Sequence, residues 1–241
     1  MIEKKRKLKM NKKLAIILIS ILLLLGLFFG FSKFNGNNSD SPADEPAAET
    51  ETKNDYDYLV LVNKQNKLPD DWEDKVVLKE SVNRYGETYL VEEKALEQFL
   101  ALQKELAEEG IIIELDSTYR SVQEQQDLWD EWTVEFGEEY VKTYVAVPGY
   151  SEHHTGLAID ICLDVDGKRI NDNDEMIAEK EIFAKIHEHL AQHGFILRYL
   201  EGKEDITGYG YEPWHFRYID DPALAKQIMD QGIAFEEYLN Q

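Results

Sequence analysis

The chain has 241 residues, a formal net charge of −22 and a single cysteine, Cys162. One cysteine excludes an intrachain disulfide and a thiolate-rich metal cluster, so stability must rest on an apolar core. The acidity argues against nucleic acid and other anionic polymers as partners, because phosphate binding is driven by basic side chains.

The charge is unevenly spread. Residues 1–34 hold eight Lys or Arg against one Glu, a net +7, which leaves −29 on residues 35–241. Lys4, Lys5, Arg6, Lys7, Lys9, Lys12 and Lys13 precede an 18-residue apolar run, Leu14 to Phe31, interrupted only by Ser20, Gly26 and Gly30. As a helix it would span roughly 27 Å of hydrocarbon. Basic residues stay on the cytoplasmic side, so residues 1–34 are expected to be a cytoplasmic basic segment and a transmembrane anchor, with the remainder outside the cell. A cleaved signal peptide has the same order of basic and apolar parts; the length of the run and the lack of an Ala-x-Ala site favour the anchor. Residues 35–54, NGNNSDSPADEPAAETETKN, contain no aromatic or large aliphatic residue and are expected to form a disordered acidic tether. The folded domain is expected over residues 55–241.

Within that domain Tyr58 to Val62 reads as a strand, followed by a turn at Leu68-Pro69. Glu92 to Glu109 shows Ala95, Leu96, Phe99, Leu102 and Leu106 at helical spacing, with Gly110 as the stop. Ile111 to Leu115 is a second strand and Ser121 to Phe136 a second helix. Gly156 to Leu163 is a third strand, and Asp166-Gly167 a hairpin turn before Arg169-Ile170. Glu179 to His193 is a helix with Ile182, Phe183, Ile186 and Leu190 on its apolar face. Phe195 to Tyr199 and Trp214 to Ile219 are the last strands, and one helix covers Pro222 to Leu239. Strands around the polar motifs with helices between them predict an α+β fold, a small antiparallel sheet with helices packed around it.

Two stretches carry chemistry: Ser151-Glu-His-His-Thr-Gly-Leu-Ala-Ile-Asp160 and Glu212-Pro-Trp-His215. A hydrolytic zinc needs three nitrogen or oxygen ligands, an open position for water, and a nearby base that is not a ligand. Histidines from the two stretches, Asp160 and the spare Glu212 supply that inventory. Strand alternation puts Ala158, Asp160 and Cys162 on one face and Leu157, Ile159 and Ile161 on the other; Cys162 reads as a small buried hydrophobe. Adjacent residues of an extended loop point in opposite directions, so only one of His153 and His154 is expected to face the metal, and the residues alone leave open which. His187, His189 and His193 on the helix ending at Gly194 lack an interposed glutamate of the His-Glu-x-x-His type and are expected to complement the helix dipole. Arg120, in Ser117-Thr-Tyr-Arg-Ser121, is the cation expected in the pocket, where a guanidinium can pair with a carboxylate or a developing oxyanion. Gln125 is placed to orient it or the substrate. Ser151 and Trp214 are the remaining candidates for lining the pocket.

Ser-x-His-x-x-Gly-x-Ala-x-Asp, then Glu-x-x-His some fifty residues later, with Tyr-Arg-Ser upstream, resembles the zinc D,D- and L,D-carboxypeptidases of the VanY, DacB and LdcB type. The resemblance runs from about Leu59 to Leu239, with Leu200 where many relatives have proline. It implies one zinc ion at His153, Asp160 and His215, Glu212 as catalytic base, and Arg120 assisting the scissile carbonyl or the terminal carboxylate. It further implies peptidoglycan stem peptides ending in D-alanine as substrate, with tetrapeptides (L,D-cleavage) expected ahead of pentapeptides (D,D-cleavage), and a domain facing the cell wall. A wall-binding module with a degenerate site is the contrasting reading, and it would have no need for Glu212. A zinc endopeptidase or amidase would need an open groove in place of a carboxylate clamp.

Overall fold

The computed structural model describes residues 57–240. The expected anchor and tether, residues 1–34 and 35–54, lie outside the described residues. Among the described residues no helix is long and apolar enough to cross a membrane.

Two strands, β1 (Leu78–Val82) and β2 (Thr88–Glu92), form an antiparallel hairpin. Its turn is organised by the Asn83 side chain, which accepts from the backbone N–H of Tyr85 and Glu87. This hairpin is absent from the sequence expectation because β1 is largely exposed and shows no buried alternation. Helix α1 (Glu93–Glu108) follows directly. Glu92 caps it by accepting from Ala95 N–H, and Ala95, Leu96, Phe99, Leu102 and Leu106 are buried. Gly110, at φ +80°, ends it in the conformation that glycine adopts without strain.

The main sheet has five strands: β3 (Ile112–Ser117), β4 (Ala158–Val165), β5 (Lys168–Ile170), β6 (Phe195–Tyr199) and β7 (Glu212–Tyr218). Its order is β3-β4-β7-β6, with β5 also paired to β4, and every pair is antiparallel. The expected Asp166-Gly167 turn joins β4 to β5, with both residues at positive φ as a two-residue hairpin loop requires. Between β3 and β4 lie α2 (Val122–Phe136) and α3 (Glu138–Tyr144); Ser121 and Glu124 form a capping box at the start of α2. Two short helices, α4 (Asn173–Ala178) and α6 (Glu204–Thr207), were not expected, nor was α3; each has at most two turns and too few buried positions to set a period. Helix α5 (Lys180–Leu190) runs into a 3₁₀ turn, Ala191–His193, ahead of β6.

Two sequence expectations are corrected. Tyr58 to Val62 is not a strand: the carbonyls of Tyr58 and Val60 both accept from Arg217 Nη2, at 3.0 and 2.8 Å. The segment alternates because Tyr58, Val60 and Val62 pack on one apolar cluster while Leu59 and Leu61 pack on another, yet its hydrogen-bonding partner is a guanidinium. The last helix is two helices, α7 (Pro222–Gln231) and α8 (Phe235–Leu239), separated at Gly232 with φ +58°. The strand bearing Trp214 also begins earlier than expected, so Glu212 and Pro213 belong to β7.

The larger core cluster joins α1 and α5 to Ile159, Ile161, Leu197 and Phe216 of the sheet. A smaller one joins Ile196 of β6 to Ala225 and Ile228 of α7 and Phe235 of α8. Gly156, at φ +73°, turns the chain into β4 with a Cβ position only 2.9 Å from Leu78 Cδ2 and 3.3 Å from Val76 Cγ2. Gly156→Ala combines a left-handed backbone with an overpacked contact and is expected to lower unfolding free energy by about 2 kcal/mol or more, measured by urea denaturation.

Candidate active site

The first motif folds as a 3₁₀ turn, Glu152–Thr155, closed by Gly156 in the left-handed conformation. That turn buries four consecutive polar side chains, Glu152, His153, His154 and Thr155. Asp160 lies on β4 directly opposite His215 on β7. Cross-strand partners bring their side chains together on one face, so two of the three expected ligands meet through sheet register alone. The turn brings in the third: His153 Nε2 is 3.3 Å from Asp160 Oδ2, and His215 Nδ1 is 2.8 Å from Asp160 Oδ1. The ligand atoms of His153, Asp160 and His215 all lie within 4.8 Å of one another.

These residues fit a metal ion. Asp160 Oδ1 is buried without a satisfied hydrogen bond although His215 Nδ1 lies 2.8 Å away. His153 Nδ1 donates to the Thr118 carbonyl at 2.8 Å, which leaves Nε2 as a bare acceptor facing Asp160. A carboxylate can only accept, so the 3.3 Å contact of His215 Nε2 with Glu152 Oε2 puts the proton on Nε2 and leaves Nδ1 to face the cavity. His154 has no free nitrogen: Nδ1 donates to the Arg120 carbonyl and Nε2 accepts from Gly149 N–H. The pair therefore does divide as expected, although by the geometry of a 3₁₀ turn rather than of an extended loop.

Burial favours a neutral Asp160, but His153 and His215 outweigh it and hold the carboxyl well below the usual carboxylate range. For His215 burial again opposes charge, and Asp160, then Glu152, raise its pKa, so a metal ion binding at Nδ1 would displace a proton. Burial lowers His153. The Glu212 carboxylate stands 3.8 Å from His215 Nδ1, and burial pushes it up to about 7 despite the opposing pull of His215.

One cavity of about 610 Å³ is lined by the triad together with Glu212, Arg120, Gln125, Ser151 and Trp214. Every residue expected at the site from the sequence is thus gathered there. Arg120 is the one Lys or Arg among the described residues lining it. Its guanidinium is held from behind, Nη1 donating to Gln125 Oε1 at 2.6 Å and Nη2 to Ser117 Oγ at 3.0 Å. Gln125 is itself fixed by donating to the Ala146 carbonyl. Trp214 belongs both to the main core cluster and to the cavity wall.

The structure adds residues that sequence reasoning missed. Glu152 is buried behind His215, and its Oε1 accepts from Arg198 and Arg217. Burial would raise its pKa, but the two guanidiniums outweigh that and hold the carboxyl well below its ordinary range. A signal was present: Arg198 and Arg217 interrupt the apolar strand sequences Phe-Ile-Leu-Arg-Tyr and Trp-His-Phe-Arg-Tyr, and a charge inside a buried strand requires a buried partner. Tyr199 and Tyr209 also line the cavity. Cys162 is buried, as expected, and burial pushes its thiol up to about 12. His187 and His189 stand in the last turn of α5 and His193 in the 3₁₀ turn that follows, the end of the helix that favours cations. His189 and His193 pair with Glu105 of α1, and His187 meets the Pro213 carbonyl, because α1 and β7 pack against that helix.

Three convergent metal-binding side chains, an adjacent recessed carboxylate and a braced guanidinium define a metal-dependent hydrolase site on an antiparallel α+β frame. Residues 88–221 match the family model described as VanY, D-alanyl-D-alanine carboxypeptidase. YodJ of Bacillus subtilis, which carries a carboxypeptidase name, is 36% identical over 194 residues, covering 76% of this chain and 67% of that one. Among solved structures, the LdcB LD-carboxypeptidase superposes with a TM-score of 0.64 at 33% identity, covering 76% of this chain and 86% of that one. A mutant of the D,D-pentapeptidase VanY in complex with Zn(II) gives a TM-score of 0.60 at 31% identity, with coverage of 76% and 98%. The chain belongs to the VanY carboxypeptidase family. Its own sequence spans about two thirds of the length of the curated relatives it matches.

His153→Ala is expected to lose a bound divalent metal ion on dialysis, while His154→Ala retains it, since both His154 nitrogens are already engaged; metal content by elemental analysis separates the two.

Proposed function

We propose that the protein is a zinc carboxypeptidase that removes the terminal D-alanine from peptidoglycan stem peptides. The observation that carries this reading is the single cavity in which Arg120 stands with Glu212 and the His153, Asp160 and His215 triad. An endopeptidase has no carboxylate at the cut residue to receive; a braced guanidinium suits the free carboxylate of a chain end. His153 Nε2, Asp160 and His215 Nδ1 would hold the ion. When bound, zinc supplies Lewis acidity, lowering the pKa of water and polarising a carbonyl.

The chain's own residues do the rest. Glu212 is close enough to the triad to take a proton from attacking water and return it to the leaving amine. Arg120, locked by Gln125 and Ser117, orients the substrate's terminal carboxylate or stabilises the developing oxyanion with paired N–H donors. Ser151 and Trp214 are proposed as further substrate contacts in the wall. An intact base and braced arginine speak against a purely wall-binding module.

Cleavage of tetrapeptides at the L,D bond is the preferred reading, supported by the likeness to the LdcB LD-carboxypeptidase. Cleavage of pentapeptides ending in D-Ala-D-Ala is the second, supported by the family description and the likeness to VanY. The basic residues ahead of the Leu14–Phe31 run support a membrane-anchored enzyme whose domain faces the wall from outside the cell.

Incubation of the full-length protein and zinc with purified tetrapeptide and pentapeptide muropeptides, followed by mass analysis, is expected to show loss of one alanine, faster from the tetrapeptide. Chelation should abolish it, and no alanine loss from either peptide would refute the assignment. Glu212→Gln is expected to keep zinc but lower kcat by about 10³-fold, and Arg120→Ala to lower kcat/KM by about 10²-fold, both read in the same assay.

A further inference from the structure

Behind the triad runs a continuous chain of buried ion pairs that the reaction itself does not use. Glu152 Oε1 accepts from Arg198 Nε at 2.7 Å and from Arg217 Nη1 at 2.9 Å, while Oε2 faces His215 Nε2 at 3.3 Å. Arg198 gives its remaining two nitrogens to Glu236 of α8, Nη1 to Oε2 at 2.8 Å and Nη2 to Oε1 at 2.6 Å. Asn63 Nδ2 donates to the same Glu236 Oε1 at 3.0 Å. Arg217 is tied to the carbonyls of Tyr58, Val60 and Tyr218. Arg198 and Arg217 have no exposed surface, and Glu152 and Glu236 are almost as deeply buried.

The division of labour between the two Glu152 oxygens is the informative point. A carboxylate that only balanced two guanidiniums could offer each arginine one oxygen. Here both arginines converge on Oε1, and Oε2 is left for the imidazole that faces the triad. The plane of the carboxylate, and so the position of Oε2, follows from where the two guanidiniums are held. Arg217 is anchored by backbone carbonyls, whereas Arg198 is anchored by the fork-to-fork pair with Glu236. Such a bidentate pair fixes the orientation of a guanidinium as well as its distance. A carboxylate hydrogen-bonded to the outer nitrogen of a metal-binding histidine fixes the ring and raises the basicity of the inner nitrogen.

We propose that Glu152 is a positioning residue for His215, and that the Arg198–Glu236 pair sets how firmly Glu152 is held, so that α8 contributes to metal affinity without lining the cavity. The inference rests on the zinc reading of the same site. It is tested on the full-length chain by zinc affinity in competition with a chromophoric chelator and by the visible absorption spectrum of the cobalt-substituted protein. Glu152→Gln is expected to weaken zinc binding by about 10–100-fold. Glu236→Gln and the milder Arg198→Lys are each expected to weaken it by about 10-fold and to shift the cobalt bands, though neither residue touches the triad. Ile228→Val thins the apolar cluster beside α8 and leaves the ion pairs intact; it should lower Tm with zinc affinity and cobalt spectrum unchanged.

Wild-type affinity and spectrum in both Glu236→Gln and Arg198→Lys would overturn the inference and reduce the network to a clasp for α8. If Glu236→Gln does not fold, Arg198→Lys decides alone. A wild-type chain that binds no zinc would overturn the zinc reading itself, an outcome distinct from variants that bind like wild type.

Discussion

The register between β4 and β7 is the constraint on which the rest of the molecule depends. Asp160 faces His215 because Ala158 pairs with Arg217 and Ile159 with Phe216. A slip of one residue would turn Asp160 towards the core and Ile159 towards the cavity, since side chains alternate across a strand. The slip is prevented by what lies on the two faces. Ile159, Ile161 and Phe216 are buried in the main core cluster, and Arg217 on the other face has every donor group engaged. The core thus aligns the catalytic face, and Trp214 is the core residue that also reaches the cavity wall.

The second constraint is electrostatic. Glu152, Arg198, Arg217 and Glu236 place two negative and two positive charges out of water within one contiguous network. Desolvating charges is costly, and a buried ion pair contributes little net stability against a well-packed apolar alternative. Its effect here is geometric: it joins the 3₁₀ turn, β6, β7, α8 and the segment around Val60 at one point behind His215. Removing any one member strands the others, which makes the network intolerant of substitution even though its net contribution to stability is small.

Much of the fold was legible. Helices α1 and α5 follow from periodicity because each buries one apolar face, strands β3, β4, β6 and β7 follow from their largely apolar runs, and glycine punctuation marks the end of α1. The misreadings have different causes. Tyr58 to Val62 alternates like a strand, but its carbonyls go to Arg217, a partner 157 or more residues away that no local pattern reveals. The hairpin β1–β2 escaped notice because it is mostly solvated, and the final helix divides at Gly232 although its apolar residues keep a near-helical spacing across the break.

The sequence by itself determined the inventory: two histidines, an aspartate, a glutamate and an arginine in spaced motifs, outside any cysteine chemistry, and close enough to a known family pattern to name the reaction class. Only the tertiary structure decided which histidine nitrogen faces the cavity, that His154 is consumed by Arg120 and Gly149, and that Glu152 stands behind His215. The reason is physical. Residue type and spacing limit what chemistry is available, but hydrogen-bond direction depends on carbonyls and carboxylates delivered from distant segments, and those meet only when the chain has folded.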